Sequence, residues 1–103
     1  MKKVKITVLK TTLDKELAQE YGVEGLTACP VIQEGQVFYV DYAKPDGFCD
    51  GAWNAIHQYV FALAHGANEL FYNGSWIKNP GVAICSCNDG LRPVIFKLES
   101  TDQ

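Results

Sequence analysis

The chain has 103 residues, 48% hydrophobic and 20% charged, with a formal net charge of −3. This length and balance predict one domain whose modest core folds without a disulfide or metal, and they exclude extended disorder. No lysine- or arginine-rich run supplies the footprint of a nucleic-acid binder, so no nucleic acid is expected as a partner.

Lys2 and Lys3 open the chain as a signal peptide would, but Lys5 and Lys10 interrupt any apolar segment. No apolar run approaches the length of a membrane span. The expectation is a cytoplasmic protein with no membrane partner. There thiols stay reduced, and clustered cysteines more often mean metal or reactivity than disulfides.

Val4, Ile6 and Val8 alternate with Lys3, Lys5 and Thr7, which predicts a half-buried strand. Thr11 and Asp14 resemble a capping box, and Leu13, Leu17 and Tyr21 recur at helical spacing up to Gly22. A first helix is predicted over 12–21. The segment 22–30 has two glycines and a proline and no periodicity, so it reads as a loop, and it carries Cys29. Residues 36–42 are aromatic and β-branched, which predicts a second strand. A turn region with Pro45 and Gly47 follows.

A second helix is predicted from near Asp50 to His65-Gly66. Its core stripe is Trp53, Ile56, Val60 and Leu63. The aromatic segment 69–77 is broken by Asn73-Gly74 and reads as a loop or short turn. Two apolar runs, 81–87 and 92–100, close the chain around Asn88-Asp89-Gly90, a hairpin signal. The fold class is α+β: a single domain over 1–103, with an antiparallel or mixed sheet of about four strands packed on two helices.

The four cysteines, Cys29, Cys49, Cys85 and Cys87, do not have the spacing of a zinc finger. Their positions point to a site nonetheless. Cys29 lies in a loop, Cys49 precedes a helix and Cys87 ends a strand, and sites are built at such places. Cys85 sits inside an apolar run, as a packing cysteine does.

Residues two apart on a strand are roughly 6.7 Å apart at the backbone. Two thiolates on one zinc are only about 3.8 Å apart. A Cys-x-Cys strand therefore suits a multi-iron cluster better than zinc, unless the strand bulges at Cys87. Backbone N–H groups at a helix start stabilise negative charge, which favours a thiolate at Cys49; with Asp50 as the cap, its carboxylate opposes this.

Three readings stay open. The first is a metal or iron–sulfur site with Cys29, Cys49, Cys85 and Cys87 as ligands, and Asp89 and Arg92 supporting them. The second is a reactive thiol, Cys49 or Cys87, acting on a small molecule, with Arg92 orienting an anion. The third is an interaction or accessory subunit with packing thiols, forming a homo-oligomer or meeting a partner protein through the aromatic loop 69–77. Each residue also has a plain role. Asp89 is a turn former, Arg92 an edge-strand cation, His57 a surface histidine, and His65 a charge suited to a helix end.

The stretches "ACP", "EGQVFYVD", "GFCDGAW" and "CNDGLRPVIFKLE" together resemble a small family of bacterial proteins of about this length, frequent in anaerobes, with no established activity. The resemblance picks out Cys29, Cys49 and Cys87, with Asp89, Gly90, Arg92 and Pro93. It implies a shared site at those residues. The anaerobic setting favours an iron–sulfur cluster or other oxygen-sensitive centre, with zinc as the alternative.

Overall fold

The computed structural model describes residues 1–102. Its elements are β1 (Val4–Thr11), α1 (Lys15–Tyr21), β2 (Val37–Val40), α2 (Asp50–Ala64), β3 (Val82–Ser86) and β4 (Val94–Ser100). The four strands form one antiparallel sheet in the order β2-β1-β4-β3. This is the α+β class the sequence predicts, with its C-terminal strand pair.

Alternation decides which face is buried. Val4, Ile6 and Val8 on β1 and Val94, Phe96 and Leu98 on β4 point to one side and are buried. Ala83 and Cys85 on β3 join them. Across them lies α2, whose Ala52, Ile56, Val60 and Leu63 recur at helical spacing and are buried. Ile32 and Phe48 close the ends of this layer from loops. The other sheet face has no helix and exposes Val37, Tyr39 and Ile84.

Of the two helices, α2 alone covers the sheet. The predicted stripe of α1 does not reach a core: the helix buries no residue, and Leu17 and Tyr21 are exposed. Its start is also later than the sequence suggests. Thr11 pairs with Val94 at the end of β1, beyond an irregularity at Leu9, so the strand takes the residue predicted to cap the helix. Asp14 is the cap, accepting the Leu17 N–H at 3.1 Å.

β2 stops at Val40 because the Asp41 carboxylate accepts the N–H groups of Tyr42 and Ala43 and bends the chain. These bonds, Tyr42 first, hold the Asp41 carboxyl below its usual range. Trp53, predicted as core, is half-buried and meets the core edge-on through Phe48. No helix among the described residues is long and apolar enough to cross a membrane.

Candidate thiol site

Three cysteines that are far apart in the chain line one cleft of about 250 Å³, together with Asp89 and Arg92. An adjoining space of about 30 Å³ is lined by the same three cysteines and by Ile32, Val94 and Phe96.

Each thiol arrives differently. Cys29 hangs from the long loop between α1 and β2, next to Ile32, whose burial anchors that loop to the core. Cys49 is the N-cap of α2, and its side chain makes no capping hydrogen bond. Asp50 is therefore inside the first turn, and its carboxylate pairs with Lys44 at 2.9 Å. The Cys49 sulfur is left beside the N–H end of the helix, where negative charge is stabilised. Cys87 follows β3 directly. Its sulfur accepts the Val94 N–H at 3.3 Å.

Asp89 and Arg92 form the rim. The Asp89 carboxylate accepts the N–H groups of Leu91 and Arg92 and pairs with the Arg92 side chain at 3.2 Å. The Leu91 N–H, then the Arg92 N–H and guanidinium, hold the Asp89 carboxyl below its usual range. The predicted tight Asp-Gly turn is replaced by a seven-residue connection, 87–93, organised by the Asp89 side chain. Gly90 does not adopt the positive φ that a two-residue turn needs.

Cys85 does not line this cleft. It is buried opposite Phe96 and faces a second groove one to two turns farther along α2. Burial pushes its thiol up to about 12, so it stays protonated near neutral pH.

The donor chemistry of the other three fits a thiophilic centre: sulfur only, one N–H···S bond, and a helix start. Among the described residues no group of three His, Cys, Asp or Glu side chains stands ready to hold a metal ion.

His57 is exposed beside Trp53 and outside the cleft. His65 caps α2 at its C-terminal end and places Nδ1 2.9 Å from the Phe61 carbonyl. Sequence reasoning missed Val94, which meets Cys87 through its backbone. It missed Ile32 too, whose burial no periodicity announced. No family model matches the chain, and no curated protein or solved structure matches it.

Proposed function

We propose that the protein is a small thiol-site protein in which Cys29, Cys49 and Cys87 bind a thiophilic metal ion or iron–sulfur centre. One observation carries this reading. Three thiols from three separate segments line a single cleft, while the fourth is turned elsewhere. The three lie 20 and 38 positions apart in the chain, and the fold brings them to one opening.

Binding has to draw the thiols together. Three donors are one short of the four that a zinc or cluster site uses, so the centre has room for a further ligand at the Asp89–Arg92 rim. The site needs free thiols, which suits a reducing compartment such as the cytoplasm, and all four cysteines are unpaired.

The test is anaerobic purification followed by metal and acid-labile sulfide analysis. Near-stoichiometric iron or zinc is expected in the wild type and in Cys85→Ala, with little in Cys49→Ser or Cys87→Ser. Brown protein with sulfide selects the cluster; colourless zinc protein rejects it. Metal-free wild-type protein, or metal that survives Cys49→Ser, would overturn the proposal.

A second reading is favoured by Arg92 on the rim. The cleft would bind a small molecule whose anionic group pairs with that guanidinium, leaving a cleft thiol as its reactive neighbour. Under this reading one cleft cysteine is alkylated much faster than the other two, and Arg92→Gln slows a negatively charged reagent more than a neutral one. Uniform slow labelling of all three would sink it.

A further inference from the structure

The second groove, about 430 Å³, lies between α2 and the segment 69–77 and meets the thiol cleft at Asn88. We propose that it binds an uncharged nucleobase or nucleoside. This inference does not depend on the thiol site.

The aromatic wall is held in place at a conformational cost. Phe71 and Tyr72 have φ of 56° and 52°, a left-handed conformation that side-chain-bearing residues rarely adopt, least of all in succession. Hydrogen bonds fix it. The N–H groups of Ser75 and Trp76 both donate to the Tyr72 carbonyl at 2.9 Å, and Gly74 N–H donates to Ile77 at 2.8 Å. Phe71 packs edge-on to Tyr59 of α2, with centroids 5.3 Å apart. The result is a Trp76 ring that stacks on Phe71 at 5.2 Å and, more loosely, on Tyr72 at 6.0 Å yet stays 70% exposed. Strained backbone that presents an exposed indole over a groove is what ligand recognition calls for.

The polar wall indicates what kind of ring lies there. Asn54 and Gln58 stand one turn apart on α2, and Asn88 faces them from the β3–β4 connection. The Asn54 and Asn88 side chains make no hydrogen bond among the described residues, so their donors and acceptors are available. Gln58 uses Nε2 on the Ala55 carbonyl at 3.1 Å and keeps its oxygen. A side-chain amide offers a donor and an acceptor side by side, matching the edge of a base, while the aromatic ring stacks on its face. No lysine, arginine, aspartate or glutamate lines the groove, so nothing there neutralises a phosphate. That selects the base or nucleoside over the nucleotide.

Isothermal titration of the purified full chain with adenosine, guanosine, cytidine and uridine tests this, with adenosine monophosphate and a disaccharide as comparisons. At least one nucleoside should bind saturably below millimolar concentration and better than its monophosphate. Trp76→Ala should weaken it about tenfold, the usual loss for one base stack. Asn54→Ala, on an exposed helix position, should weaken it without unfolding the chain. Absence of saturable nucleoside binding would overturn the proposal. So would binding of the disaccharide alone. Self-association that Trp76→Ala abolishes, with no nucleoside bound, would overturn it too and assign the ring to a contact between copies of the chain.

Discussion

The sulfur of Cys87 accepts the Val94 N–H at 3.3 Å while the Cys87 N–H donates to the Val94 carbonyl at 3.1 Å. The two residues stand one step beyond the last paired positions of β3 and β4, Ser86 and Ile95. The sulfur therefore takes the place in the ladder that the Cys87 carbonyl would otherwise fill. A side chain of the candidate site is thereby tied to the sheet itself.

That tie gives Cys87 a structural role. Cys87→Ala leaves a half-buried N–H without its partner and should cost about 1 kcal/mol. Cys87→Ser keeps an acceptor and should cost less. Urea denaturation of the two variants measures the difference. Equal midpoints for both would show that the N–H···S bond contributes nothing.

Cys85 should reveal itself at high pH. Burial raises its thiol from 9.0 to about 12 in the folded chain. Below pH 9 the thiol is neutral in both states and stability is unaffected. Above it the unfolded chain ionises and the folded chain does not, so stability falls from about pH 9 until about pH 12. Other groups titrate in that range, so the measure is the difference from Cys85→Ala, whose urea midpoint should fall less steeply between pH 8 and 10.5 by this argument. Parallel slopes would contradict the burial. In the native protein Cys85 should also be the last thiol alkylated.

Asp89 behaves in the opposite sense. Its carboxyl is held low in the folded chain by the Leu91 and Arg92 N–H groups and then by the Arg92 side chain. A depressed value contributes stability above the unfolded carboxylate range, and that stability is lost as the pH falls through the folded value. Asp89→Ala should cost about 0.5–1 kcal/mol near neutrality, at the low end because the loop is exposed. The gap to the wild type should narrow below about pH 4. A gap unchanged at acid pH would mean that the carboxylate's charge plays no part in holding the connection.

How legible was this in the sequence? Alternation in β1, strand-forming composition in β2, β3 and β4, and helical spacing in α2 located these elements because each buries one face. Val4-Ile6-Val8 and Ile56-Val60-Leu63 carry that signal without ambiguity. α1 misled because Leu13, Leu17 and Tyr21 have helical spacing but nothing to pack on; periodicity describes a face and not its partner. Asp89-Gly90 misled because the Asp89 side chain, not the glycine backbone, closes the connection. The positions of Cys29, Cys49 and Cys87 at loop and element ends foreshadowed their shared cleft, and Cys85's place in an apolar run foreshadowed its burial. The aromatic groove was not legible, because two successive left-handed residues at Phe71 and Tyr72 leave no compositional mark.

Phe48 links the core to the site. Its buried ring meets Phe38 at 5.1 Å, Phe96 at 5.5 Å and Trp53 at 5.9 Å, all on the residue just before Cys49. Lys44 adds a tether, donating to the Phe48 carbonyl at 3.1 Å while pairing with Asp50. The aromatic cluster thus fixes where α2 begins and where the Cys49 sulfur lies. Phe48→Ala should cost about 3–5 kcal/mol, a large share of the 5–15 kcal/mol typical of a domain. Phe48→Leu keeps most of the volume and should cost clearly less than Phe48→Ala. In the folded Phe48→Leu protein the Cys49 alkylation rate should change more than that of Cys29, which is 19 residues away in the chain from Phe48. A stability loss with the Cys49 rate unchanged would make Phe48 a core residue only and leave the helix start to the Lys44 tether.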